Sequence, residues 1–459
     1  MTTNSLSEHP KQIRIAILGN VDSGKSTTLG VLTHAGLYKD LNGTTGILDD
    51  GQGLARSRIF RHPHEKETGR TSSVSHHYLE NYKNDTIITF IDLAGHEKYL
   101  KTTMFGLNGC SADYAILMVG ANNGLVGTAK EHIQLALSLN IPLIVCVTKI
   151  DFAPKHVWEA TMTDIENTLK SKENGRRVAF KVKDESDIDE ITKSISDPTS
   201  KMSPIFEISN VSGQGIDLFR NFLSQLQPTI NWEIKKDSEK IFCIQEKYNI
   251  KGIGLVVYGL LKSGTIKVGD RLHLGPFDDK FKLVEIKSIH NYNKQSIEYL
   301  HAGENGCFNI KSTNSKEIIR RYQINKGMVI LENPHTTQYF WARVKIIKNP
   351  TSISIGYQPT IHSSTVYQCA EIIQIDKLDK EVLISSHKEG KLEEVILDST
   401  LKNKDLIIRS GDIANILFKF IFESVYITTG SIISFREGKT KGLGKIIKLL
   451  DTKTPCKRK

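Results

Sequence analysis

The strongest constraint on this chain is a run of residues from Gly19 to Ser26, GNVDSGKS, which matches G-x-x-x-x-G-K-[ST]. An apolar strand pattern (residues 13–18, IRIAIL) precedes it, and a helical pattern runs on to about His34. A Gly-rich turn from strand to helix converges backbone N–H groups on one point, where the helix dipole adds positive character. That geometry holds phosphates. Lys25 is placed to bridge β- and γ-phosphate oxygens, and the Ser26 hydroxyl to bind Mg²⁺. A ligand-free Gly-rich turn is the bland alternative, and the strand–loop–helix order argues against it.

Further strand patterns fall at 87–92, 114–119, 143–148 and 205–208. Helical patterns at 97–107, 128–139, 155–170 and 216–226 alternate with them. Such alternation predicts a mostly parallel sheet covered by helices on both faces. Two segments interrupt it. Residues 35–73 are Gly-rich and polar and read as a long mobile loop; 172–203 are charged and Ser-rich and read as a surface insertion. After Pro228 the period changes to short Val/Ile/Tyr-rich runs punctuated by turn pairs such as Ser263-Gly264 and Gly269-Asp270, the patterning of small β-barrels. In the last block the strand runs are 340–355, 361–376, 394–397, 412–422 and 431–450. The expected layout is an N-terminal tail (1–12), an α/β nucleotide-binding domain (13–230), a β-barrel (236–333), a second β-barrel (337–451) and a basic tail (452–459).

Further motifs follow in order. Asp92-Leu93-Ala94-Gly95-His96 ends a strand. Asp92 can reach Mg²⁺ through water, the Gly95 N–H can approach a γ-phosphate unobstructed by a Cβ, and His96 stands where a group must orient attacking water. Thr148-Lys149-Ile150-Asp151 follows the LIVCV strand. A carboxylate at Asp151 accepts two hydrogen bonds from the N1–H and N2–H₂ edge of guanine, which adenine lacks, so GTP is selected over ATP. Ser209-Asn210-Val211 closes the base pocket with a backbone N–H. The expected nucleotide-binding set is therefore Gly19, Asn20, Val21, Asp22, Ser23, Gly24, Lys25, Ser26, Thr27, Asp92, Gly95, Thr148, Lys149, Asp151, Ser209, Asn210 and Val211. His96 is the catalytic candidate and GTP/GDP with Mg²⁺ the cofactors.

Charge is unevenly distributed. Residues 1–230 carry 24 basic and 26 acidic side chains, whereas 231–459 carry 37 and 25, so the net +10 resides in the second half. A basic half attracts polyanions, RNA included; a solvated surface with a Lys-rich tail fits the same numbers equally well. Six scattered cysteines show neither pairing nor metal-type spacing and read as reduced thiols. No apolar run approaches the ~18–20 residues of a membrane span, and the first residues lack a signal-peptide core. These features predict a cytoplasmic protein with no membrane partner, and we expect a monomer.

The set GNVDSGKST, DLAGHEKY, TKID and ISNVSG resembles the translation-factor GTPases of the elongation factor Tu type. EKETGRTSSVSH (65–76) resembles the end of their first switch, where the resemblance makes Thr71 a third Mg²⁺ ligand beside Ser26 and Asp92. GIGLVVYGLLKSGTIKVGD (252–270) and HAGENGCFNI (301–310) resemble the family's second domain. FRHPHEKETGRTSSV, DLAGHEKYLKTT and FREGKTKGLGKI are most similar to the GTP-binding-protein-1-like subfamily. The resemblance covers about residues 13–451. It implies a P-loop GTPase domain followed by two all-β barrels, acting on ribosomes and aminoacyl-tRNA in elongation or stalled-ribosome relief. Two other roles stay open. One is a nucleotide-gated binding protein working with mRNA-decay or surveillance factors; the other is the GTPase subunit of a metabolic enzyme.

Departures from the family pattern carry expectations of their own. Thr148 replaces the usual Asn, removing an amide donor that ties its strand to the P-loop and so threatening GTP affinity. Ala94 replaces a Pro, which loosens the second switch. Val21 is kept from the family's apolar gate, but its partner position is Arg70. That Arg is either a cis stabiliser of transition-state charge or, more simply, a residue pairing with Glu65, Glu67 or RNA. His62, His64, His76 and His77 lack metal-type spacing and read as solvated or RNA-facing imidazoles.

Overall fold

The computed structural model describes residues 6–33, 48–59, 74–81, 84–95, 107, 109–197, 199–314, 316, 318–325, 327–364, 366–377, 407–437 and 440–450. The chain divides into two compact units, Met1–Asn231 and Trp232–Lys459.

The first unit is built on one seven-stranded sheet: β1 (Lys11–Gly19), β2 (Ser75–Asn81), β3 (Thr86–Asp92), β4 (Tyr114–Gly120), β5 (Leu143–Thr148), β6 (Val178–Lys181) and β7 (Met202–Glu207). The spatial order is β2-β3-β1-β4-β5-β7-β6, with β2 antiparallel to β3 and every other pairing parallel. Alternate residues of the inner strands serve two cores, because side chains of a strand point to opposite faces. Ile13, Ile15, Ile17, Tyr114, Ile116 and Met118 join one; Ala16, Leu18, Ala115, Leu117 and Val119 join the other. The helix after β1 (Lys25–Thr33) buries Leu29, Val31 and Leu32 in the first core, and the helix after β4 (Ala129–Ser138) buries Ile133 and Ala136 in the second. The chain thus leaves adjacent strands β1 and β4 in opposite directions, which opens a crevice at their carboxyl ends.

Residues 172–203 are not the surface excursion their charge suggests. They supply β6, which extends the sheet beyond β7, and a helix (Ile188–Ser196) whose Ile188, Ile191 and Ile195 are buried in the first core. Three isoleucines at helical spacing were hidden by the Ser, Lys and Asp between them. Part of the 35–73 stretch is likewise built: a short helix (Leu54–Ser57) packs its Ala55 against the Lys25–Thr33 helix, while residues 35–47 and 60–73 lie outside the described residues. His76 and His77 belong to β2 and are half-buried, not solvated. His77 Nε2 lies 3.0 Å from Ser75 Oγ and His76 Nε2 3.9 Å from Cys110 Sγ. His62 and His64 lie outside the described residues.

The second unit contains two antiparallel barrels. The first runs Arg271–Phe277, Val329–Leu331, Ile241–Ile250, Gly254–Ser263, Asn305–Ser312 and Lys280–His290, and closes by pairing its first and last strands. The second is closed from Tyr339–Lys348, Ile413–Phe420, Val366–Lys377, Thr360–Ser363, Ile432–Glu437 and Thr440–Leu450, around Phe340, Phe418, Phe420 and Phe435. The apolar runs 361–376 and 431–450 are therefore hairpins, each of two strands; the first turns at Ser364, which takes φ +50°. The run 394–397 lies outside the described residues. Among the described residues no helix is long and apolar enough to cross a membrane.

Candidate functional site

The GNVDSGKS loop leaves β1 at Gly19, turns through Asp22 (φ +60°) and Gly24 (φ +84°), and enters the helix at Lys25. Gly19 takes φ +135°, and a Cβ there would stand 2.4 Å from the Met118 carbonyl oxygen, so only glycine fits. Lys25 is 7% exposed. Its Nζ donates to the carbonyl oxygens of Asn20 (2.6 Å) and Gly19 (3.2 Å), which aims the ammonium into the loop. Burial lowers its pKa to about 8, partly offset by Asp92 and Asp22. An ammonium held at this desolvation cost is poised to gain from anionic phosphate oxygens.

Asp92 ends β3 and is buried, with Oδ2 accepting from Ser26 Oγ at 3.3 Å. These two hard oxygen donors at the phosphate end of the loop fit an oxygen-preferring cation such as Mg²⁺. Gly95 presses against the same place. A Cβ on it would lie 2.4 Å from Lys25 Nζ and 2.6 Å from the Gly19 oxygen, so its backbone reaches the ammonium only because it has no side chain. His96, Thr71 and Arg70 lie outside the described residues.

On the base side, Thr148 ends β5 fully buried, and its hydroxyl donates to the Ser23 carbonyl oxygen at 3.0 Å. The strand end and the phosphate loop are thus tied here by a hydroxyl in place of an amide. Lys149 takes φ +60° and, with the exposed Asp151, lines one wall of the site. Ser209 does not reach outward: its buried Oγ accepts from the N–H groups of Val211 (3.2 Å) and Ser212 (3.0 Å), shaping the loop. Asn210 is pinned to the phosphate-side helix by Nδ2 donating to Thr28 Oγ1 at 2.9 Å.

A cavity of about 410 Å³ joins these elements, lined by Asp22, Gly24 and Thr27 from the phosphate side and Lys149, Asp151, Asn210 and Val211 from the base side. Several of its residues escaped the motif reading. Asp49, Gln52 and Arg56 line it from the stretch read as a loop, and Phe152, 74% exposed, stands beside Asp151.

Beneath the site, the helix Ala129–Ser138 and its N-cap Thr128 hold both Gly95 and the phosphate loop. Thr128 Oγ1 donates to the Gly95 carbonyl oxygen (3.0 Å), and one turn later His132 Nδ1 accepts from the Gly19 N–H (3.2 Å). His132 is 1% exposed; burial first, then the Lys25 charge, lowers its pKa to about 4, so its ring is a neutral acceptor near pH 7. The i, i+4 spacing of Thr128 and His132 was visible in the sequence, but nothing local showed what either faced.

Residues 10–229 match the family described as the elongation factor Tu GTP binding domain. GTP-binding protein 1 of Xenopus laevis is 37% identical over 468 residues, covering 96% of this chain and 64% of that protein. GTP-binding protein 2 of Homo sapiens is 35% identical, covering 95% of this chain and 69% of that one. The chain thus spans about two thirds of the length of these relatives. In fold it is similar to the GTPase-like domain of S. cerevisiae Ski7, solved bound to GTP: TM-score 0.70, 15% identity, with 95% of this chain and 97% of that one covered.

Proposed function

Because the chain belongs to the elongation factor Tu-like family of translation-factor GTPases, we propose that it binds and hydrolyses GTP as a switch acting with ribosomes and aminoacyl-tRNA. The observation that carries the reading is the single cavity lined at one end by the phosphate loop and at the other by Lys149, Asp151 and Val211. The loop N–H groups and Lys25 hold the β- and γ-phosphates, and Asp151 pairs with the guanine edge. Mg²⁺, when bound, neutralises phosphate charge; Ser26, Asp92 and Thr71 would hold it. His96, directly after Gly95, orients the attacking water, so catalysis is chiefly positional.

The contact of Gly95 with Lys25 suggests how the chemistry becomes a signal. A γ-phosphate on Lys25 engages the Gly95 backbone and fixes the segment that follows it. Hydrolysis removes that engagement and lowers affinity for cargo or ribosome. The family's role in elongation and the positive charge of residues 231–459 support RNA-containing partners.

The test is GTP turnover by the full chain, alone and with ribosomes plus aminoacyl-tRNA, beside His96→Ala. Strong stimulation that His96→Ala abolishes, with GTP binding kept, is the expected result. GTP binding with no stimulation would overturn the ribosomal reading in favour of a nucleotide-gated binding protein in mRNA surveillance.

A further inference from the structure

Residues 48–56 belong to none of the nucleotide motifs, yet three contacts seat them on the site. The Asp49 N–H donates to the Asn210 carbonyl oxygen at 2.8 Å. Leu48 packs on the neighbouring turn, where a Cβ at Gly213 would come within 3.2 Å of its Cδ1. On the phosphate side, a Cβ at Gly30 would lie 2.2 Å from the Ala55 carbonyl oxygen, so the two backbones meet directly. The segment is also shaped from within. Asp49 accepts from the N–H groups of Ala55 (2.8 Å) and Gly51 (3.2 Å), and Asp50 from those of Gln52 (2.8 Å) and Leu54 (3.1 Å). It therefore bridges the base-side loop and the phosphate-side helix, and Arg56 lines the nucleotide cavity from it.

Arg56 is half-buried, and its guanidinium folds back over Gly53, where a Cβ would stand 2.3 Å from Nε. Its own segment offers the carboxylates of Asp49 and Asp50, but Asp49 accepts backbone N–H groups through both oxygens and Asp50 accepts two through Oδ1. Among the described residues Arg56 forms no ion pair. A guanidinium presents five donors in a planar fork that matches phosphate oxygens, and here it shares a cavity with Gly24 and Thr27 of the phosphate loop.

We propose that Arg56 is a nucleotide-binding residue whose guanidinium contacts the phosphate chain of the bound guanine nucleotide, so that residues 48–56 slow nucleotide release. The inference rests on the nucleotide-binding reading above and adds to it a contact outside the family motifs.

The experiment measures GDP release and guanosine affinity of the full chain for the wild type, Arg56→Ala and Arg56→Lys, with circular dichroism to confirm folding. Arg56→Ala should release GDP about tenfold faster, the scale of one charge-assisted contact. Guanosine affinity should stay unchanged, and Arg56→Lys should recover part of the retention. A release rate within twofold of wild type overturns the proposal. So does an equal loss of GDP and guanosine affinity, which would put Arg56 on the nucleoside instead. A wild type that binds no GDP would refute the nucleotide-binding reading itself, a result distinct from either.

Discussion

Lowering the pH from 6.5 towards 4 is expected to weaken the first unit through His132. Folded, this side chain resists protonation until about pH 4, because its ring is buried and the Lys25 charge lies close. In the unfolded chain it protonates near 6.5. Its folded pKa is depressed, so between these values the unfolded state binds a proton that the folded state refuses. The stabilising contribution is complete above pH 6.5 and is lost as pH falls through the window. The gap between 6.5 and about 4 is worth about 3 kcal/mol at pH 4, of which about 2 kcal/mol is gone by pH 5. His132→Asn supplies the control: its amide oxygen can accept from the Gly19 N–H near the position of Nδ1, and it does not titrate. Urea unfolding at pH 7, 6 and 5 would be followed through Trp158, the only tryptophan among residues 1–231. The wild type should lose about 2 kcal/mol more than the variant between pH 7 and 5. Parallel losses in the two proteins would refute the assignment, since other titrating groups would then carry the whole effect.

Thr148→Val keeps shape but deletes the hydroxyl that donates to the Ser23 oxygen. It should cost about 1 kcal/mol of stability and about fivefold in GDP affinity by calorimetry; an unchanged affinity would show that this tie does not order the loop. Ile191→Ala should destabilise the first unit by about 2–5 kcal/mol, because Ile191 is buried in the core beneath the sheet. A change below about 0.5 kcal/mol, the range of surface positions, would return residues 172–203 to the role of a surface insertion.

Elements with a strong period were legible directly. The buried strands 114–119 and 143–148 and the helix at 155–170 stand where their patterns put them, with boundaries shifted by a residue at most. Legibility failed where composition masked period. The Ile188–Ser196 helix carries its three isoleucines among polar residues, and the 48–56 segment is held by Asp side chains bonding to backbone N–H groups, which in sequence look like any polar loop. Hairpins read as single strands where the turn lacks a Gly-Asn or Asn-Gly pair, as at Ser364.

For the site, the phosphate loop was specified by the chain alone. Its glycines, lysine and serine act within a turn of one another, and local φ/ψ preferences suffice to bring them together. Tertiary structure decided everything that joins distant segments. Thr148 reaches Ser23 across 125 residues, His132 reaches Gly19 across 113, and Asn210 reaches Thr28 across 182. Each link depends on which strand ends the sheet order β3-β1-β4-β5-β7 sets side by side. That order arises from burying two apolar faces at once, a condition on the whole unit that no local run of residues carries.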